Sequence, residues 1–223
     1  MNKTAVHILL VEDSPSDANL FSHIFSRSNK EGWQLVHVDR LDDALEFCQD
    51  FRFDVVLLDL GLPDSDGLET VAEFHAAEPD IPIVVLTGSD DEELALNALA
   101  QGAQDYLVKD QINRQLLMRA IRYAMERGQI LTQLKDSERR FRGIFDQTFQ
   151  FMGLLSPTGV ILEINQTALD FIGAKQEAVV GLLLWETTAW NYSRESQEWL
   201  KTAIADAAEG EFVRYEVEVY GAS

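Results

Sequence analysis

The chain has 223 residues, 46% hydrophobic and 25% charged, the mixture of a globular protein with one large or two small domains. Its 38 acids against 18 bases leave a net charge of -20, which is repelled by duplex phosphates and anionic lipid and argues against nucleic-acid or membrane binding. The one cysteine, Cys48, excludes an internal disulfide and fits a reducing, cytoplasmic setting, and no segment reaches the roughly 18 apolar residues of a membrane helix.

Short aliphatic runs recur through the first half: Val6–Val11, Leu35–Val38, Val55–Leu58, Ile81–Leu86 and Tyr106–Val108. The first runs straight into Glu12-Asp13, so the start reads as a strand and not as a signal peptide. Four runs are nearly all apolar, as strands buried on both faces are. Between them lie helical stripes: Ala18, Phe21, Ile24 and Phe25 within 17–28; Leu41, Ala44, Leu45 and Cys48; Leu68, Val71, Ala72 and His75. Cys48 reads as a small hydrophobe of such a stripe. Ser14-Pro15 marks one helix start, and Ser89-Asp90-Asp91-Glu92 has capping-box spacing. The expectation is an α/β fold, a five-stranded doubly wound parallel sheet with right-handed crossovers and its ligand site at the carboxyl ends of the strands.

Glu12 and Asp13 follow the first strand, Asp59 the third, Thr87 the fourth and Lys109 the fifth. Carboxylates brought together at one edge repel and call for a cation, and an all-oxygen cluster open to water suits Mg2+. A lysine and a hydroxyl beside them suit a phosphoryl group. Each residue alone has a plainer reading: Asp59 a turn residue, Lys109 a surface lysine, Tyr106 a half-buried strand aromatic. His7, His23, His37 and His75 have no metal-ligand spacing.

Residues 5–127 resemble a response-regulator receiver domain of the CheY type. The resemblance is carried by Ile8-Leu9-Leu10-Val11-Glu12-Asp13, by Asp54 through Gly67, by Val84-Val85-Leu86-Thr87-Gly88, and by Gly102 through Lys109. It implies that Asp59 is a phosphoacceptor, taking a phosphoryl group from a phosphohistidine of a histidine kinase or phosphotransfer protein. Asp13 and Asp59 are then direct Mg2+ ligands, Glu12 acts through water, and the Gly61 carbonyl adds a ligand. Lys109 pairs with phosphoryl oxygens, and Thr87 and Tyr106 switch, altering the face of the fourth helix, fifth strand and fifth helix. The acidic pair is Glu-Asp where the family commonly has Asp-Asp. Asp110 stands where the family usually has proline, so a cis peptide there is not expected.

From Ile112 to about Gln147 the chain reads as one long helix. Leu116, Leu117, Ala120, Ile121 and Ala124 form its first stripe, and Ile130, Leu131, Leu134, Phe141 and Phe145 continue it. Lys135, Arg139, Arg140 and Arg142 alternate with acids, as on a solvated face. The alternatives are a two-stranded coiled coil and a single amphipathic helix packed on the next domain.

Beyond it, Phe151–Leu155 and Val160–Ile164 around Ser156-Pro157-Thr158-Gly159 read as a hairpin. Asn165 caps a helix ending near Gly173. Lys175–Val180 is a short helix. Ser193–Glu209 is a longer one, with Trp199, Leu200, Ala203, Ile204 and Ala207 inward. Glu211–Tyr220 alternates as a half-buried strand. The region resembles a PAS domain through Arg140–Asp146, Gly159–Ala168 and Gly181–Glu186, with an antiparallel sheet that is incomplete at residue 223. It has neither cysteine nor histidine, so no flavin adduct and no histidine-ligated haem are expected. Phe149, Phe151, Trp185, Trp190 and Trp199 line either a pocket or a plain core.

The expected domains are 1–127 receiver, 128–146 helical linker and 147–223 partial PAS domain. The leading expectation is a non-enzymatic phosphorelay module, with a possible homodimer through the fifth helix, linker and PAS part. The alternatives are the N-terminal part of a hybrid sensor histidine kinase or diguanylate cyclase, an unphosphorylated docking module, and a flavodoxin. The last lacks its phosphate loop after the first strand.

Overall fold

The computed structural model describes residues 5–26, 32–88, 92–191, 193–214 and 216–217. The chain divides into two compact units, 1–135 and 136–223. The division falls inside one 34-residue helix, Arg114–Gln147.

The first unit is a parallel sheet of β1 (Val6–Val11), β2 (Trp33–Val38), β3 (Val55–Asp59), β4 (Ile83–Thr87) and β5 (Asp105–Val108), in the order β2-β1-β3-β4-β5. Between them run α1 (Pro15–Ser26), α2 (Leu41–Asp50), α3 (Leu68–Ala77) and α4 (Glu92–Ala100), and α5 (Arg114–Gln147) follows. The aliphatic runs become strands because their alternate side chains have a layer to enter on each face. Val55 and Leu57 join Ile8, Leu10, Val84 and Leu86 against α1 and α5. Val56 and Leu58 join Leu9, Val11, Ile83 and Val85 against α2, α3 and α4. All five β3 residues are buried. Each aliphatic side chain so placed contributes about 1.5–3 kcal/mol relative to an exposed one. β2 is one of the two edge strands and is only partly covered, in keeping with its mixed composition.

Helix ends follow local chemistry. Ser14 Oγ accepts from the Asp17 amide at 3.4 Å, and Pro15 occupies the first position of α1, where its missing N–H is not needed. Residues 27–28 of the expected first helix, and Ser89–Asp91 of the expected capping box, lie outside the described residues. Cys48 is half-buried beside the second core layer, and burial pushes its thiol up to about 11.

In the second unit β6 (Gly153–Leu155) and β7 (Ile161–Ile164) pair antiparallel, followed by α6 (Gln166–Ile172), α7 (Gln176–Val179) and α8 (Arg194–Ala208). Asn165 caps α6 by accepting from the Ala168 amide, and Gly173 ends it at φ 66°. Ser193 caps α8, which buries Leu200 and Ala203 but leaves Ala207 exposed. The strand expected at Glu211–Tyr220 is not formed where it is described: 211–214 and 216–217 carry no ladder, and Phe212 is exposed. The alternation is genuine, but a strand needs a neighbour to take its N–H and C=O groups, and no described strand lies beside it.

Candidate functional site

The strand order reverses between β1 and β3, so their carboxyl ends open side by side into the crevice where such sheets bind ligands. Glu12 and Asp13 leave β1 there and Asp59 ends β3. Carboxylate oxygens of the three lie within 4.8 Å of one another. Glu12 and Asp59 are buried and Asp13 is exposed. Lys109, leaving β5, brings its Nζ to 2.7 Å from Glu12 Oε2 and 3.1 Å from Asp59 Oδ2.

Each group is held by the turn it starts. Glu12 Oε1 accepts from the Ser14 amide at 3.2 Å and from Lys109 Nζ at 2.9 Å. His37 Nε2, on β2, lies 2.8 Å from the Glu12 carbonyl oxygen. Asp59 Oδ1 accepts from the Leu60 amide at 2.9 Å, leaving Oδ2 toward the lysine. Gly61 lies beside Asp59: a Cβ there would stand 3.9 Å from Asp59 Oδ2. Its loop is closed by the Gly67 amide donating to the Leu60 carbonyl and the Leu62 amide to the Ser65 carbonyl. Thr87 is buried at the end of β4. Tyr106 is part-buried on β5, opposite Val85, packed against the second core layer. Lys109–Gln111 make a 3-10 turn, Asp110 is exposed, and no described peptide is cis.

The electrostatics are those of a site short of positive charge. Burial raises the Glu12 carboxyl above the ordinary range, the nearby Asp59 charge adds to this, and the bond from Lys109 opposes it. Burial alone would lower the Lys109 ammonium, but Glu12 and Asp59 more than offset that and hold it up. Glu12 Oε2 is sealed from water and makes no aligned hydrogen bond, although the ammonium lies 2.7 Å away. A hard divalent cation fits this set: three carboxylates, all-oxygen donors, one side open to water.

Two further acids were not singled out in the sequence, one at the cluster and one in the loop that follows β3. Asp17, in the first turn of α1, lies 3.3 Å from Lys109 Nζ. Its signal was available: the Ser14-Pro15 helix start turns the chain back over the strand end. Asp64 in the β3–α3 loop accepts from the Leu41 and Asp42 amides at 3.1 and 3.0 Å, capping α2 in place of Arg40, which makes no side-chain cap. Burial would raise its carboxyl, yet those amides and Arg40 hold it below the usual range.

The second unit has an apolar cavity of about 210 Å³ lined by Phe151, Leu155, Ile164, Phe171, Leu184 and Trp190, among others. Phe149 is exposed, and neither Trp185 nor Trp199 is among its walls. No helix among the described residues is long and apolar enough to cross a membrane.

Comparison with known proteins places this geometry. The swarming motility regulation protein RssB of Serratia marcescens is 33% identical over 149 residues, 67% of this chain and 60% of that protein. The sensor histidine kinase TmoS of Ectopseudomonas mendocina is 40% identical over 86 residues, 39% of this chain and 9% of that protein. The chain thus spans 60% or less of the length of these relatives. Among solved structures, the signal receiver domain of a putative Luxo repressor protein from Vibrio parahaemolyticus superposes with a TM-score of 0.52 at 27% identity, over 59% of this chain and 98% of that one. Residues 8–122 match the response regulator receiver domain, a family of two-component signalling modules that interact with histidine kinases or phosphotransfer proteins and bind Mg2+ at an acidic pocket, and the chain belongs to it.

Proposed function

We propose that residues 1–127 accept a phosphoryl group on Asp59 from a phosphohistidine of a histidine kinase or phosphotransfer protein, and that the chain is a signalling module and not itself an enzyme. The observation that carries this is the meeting of Glu12, Asp13 and Asp59 beside Lys109 at one sheet edge. Asp59 Oδ2, the oxygen not engaged by the Leu60 amide, attacks phosphorus while the bond to the donor nitrogen breaks. Lys109 takes up charge on the phosphoryl oxygens. Asp13, Asp59 and the Gly61 carbonyl, with Glu12 through water, would hold Mg2+, which would supply positive charge to offset that of the phosphoryl oxygens. Thr87 turns its hydroxyl toward the new group and Tyr106 moves inward, reshaping the face of α4, β5 and α5.

The 34-residue α5 supports a linker over 128–146, because Ile130, Leu134, Phe141 and Ile144 are exposed on it at coiled-coil spacing. We read this stripe as the seam of a homodimer, which light scattering across the micromolar range tests; a strict monomer throughout overturns it. Residues 147–223 we read as a partial PAS domain on the hairpin, the following helices and the apolar cavity. Lacking cysteine and histidine, it uses neither a flavin adduct nor a histidine-ligated haem. The setting we propose is cytoplasmic.

A second reading is favoured by the likeness to sensor histidine kinases: the chain is the N-terminal part of a hybrid sensor histidine kinase, or of a diguanylate cyclase, with its catalytic domain elsewhere. Both readings share the phosphoacceptor. Acetyl phosphate with Mg2+ is expected to phosphorylate the wild type, detected by intact mass, and Asp59→Ala is expected to abolish it. An unmodified wild type overturns the proposal.

A further inference from the structure

Three carboxylates surround the Lys109 ammonium, and they differ in exposure. Glu12, at 2.7 Å, has no side-chain exposure, Asp59 at 3.1 Å is 10% exposed, and Asp17 at 3.3 Å is 36% exposed. Asp17 is therefore the partner on the solvent side. Its place is fixed by the chain: the Asp17 amide donates to Ser14 Oγ, and the Ser14 amide donates to Glu12 Oε1. One tight turn thus sets the distance between the inner and outer carboxylates that share the lysine.

We propose that Asp17 is a positioning residue that competes for the Lys109 ammonium and limits how much of its charge reaches Asp59 and a phosphoryl group bound there. The inference rests on the phosphoacceptor reading. Opposite charges a few ångströms apart at a partly screened edge attract appreciably, so a third acid draws the ammonium outward and adds negative field in the path of an incoming phosphoryl dianion. The ammonium stays in contact with Glu12 and Asp59 but shares its charge with Asp17, so the inner pair is less fully neutralised and attracts a divalent cation more strongly. Asp17 thus favours metal binding and disfavours phosphoryl uptake, and its loss moves the two in opposite directions.

The test uses the full chain, with Mg2+ affinity by calorimetry and phosphorylation by acetyl phosphate at saturating Mg2+. In that reaction an Asp59 oxygen bonds to phosphorus, the bond from phosphorus to the acetyl oxygen breaks, and acetate leaves with the electron pair. Asp17→Asn is expected to weaken Mg2+ binding about 3-fold and to raise the phosphorylation rate about 3-fold, with Asp17→Glu close to wild type in both. Wild-type values for Asp17→Asn in both measurements overturn the proposal. So does a joint fall in both together with a lower Tm, which marks a merely structural role. A wild type that takes no phosphoryl group removes the phosphoacceptor reading and this inference with it.

Discussion

The two units bury polar groups in opposite ways. At the strand ends of the first unit, Glu12, Asp59 and Lys109 are charged, crowded and incompletely satisfied, with Glu12 Oε2 left without an aligned hydrogen bond. In the second unit Asn165 is neutral, fully buried and saturated. Its Oδ1 accepts from the Met152 and Ala168 amides, and its Nδ2 donates to the Phe145 and Gln150 carbonyls and to Thr148 Oγ1. A buried amide with every valence used fixes a fold and has nothing left to offer a ligand. A buried charge cluster with valences left over is costly alone and is relieved by an ion from outside. The contrast separates a structural polar core from a functional one.

The contrast can be broken first at Asn165. Asn165→Ala strands two amides and two carbonyls around it, and a loss of about 3 kcal/mol is expected in denaturant unfolding followed by the tryptophans of the second unit, Trp185, Trp190 and Trp199. A loss below about 1 kcal/mol means that water replaces the amide and that the hub is not structural.

Gly159 is next. It has φ +82°, and a Cβ would enter the ring of Trp185. Gly159→Ala is expected to cost about 2 kcal/mol through backbone strain and overpacking together. Unchanged unfolding there means the hairpin turn tolerates a shift.

Asp64 sharpens the comparison within the first unit, because this acid is satisfied by amides and behaves like Asn165. Asp64→Ala is expected to cost about 1 kcal/mol at neutral pH, the value of a lost helix cap. Its folded carboxyl sits below the ordinary range, so its contribution is present above about pH 4 and is lost as pH falls through the folded value. The difference between wild type and variant should therefore close in acid, and a difference that persists there counts against the capping role.

The smallest effect has the opposite sign. Without Mg2+, Asp13→Asn relieves repulsion within the cluster and is expected to stabilise the first unit by about 0.5 kcal/mol, read as a rise in Tm. Added Mg2+ should reverse the order by favouring the wild type. A variant that loses stability in metal-free buffer shows that repulsion is not what the site stores.

Sequence periodicity was enough to place the five strands, the long helix after Asn113, the hairpin around Ser156–Gly159 and the cap at Asn165. Each of these depends on neighbours in the chain: a two-faced apolar run, a stripe at helical spacing, a turn dipeptide, a short polar side chain before a helix. The candidate site was legible for a related reason, since residues that end parallel strands must share one edge. Only the folded chain decided which acids share Lys109, that Asp64 caps a helix begun 23 residues earlier, and that Phe149 and Ala207 face outward. It also decided that 211–214 and 216–217 do not pair despite their alternation. Those outcomes turn on a partner distant in the chain, and alternation specifies only that a face needs a partner, not whether one arrives.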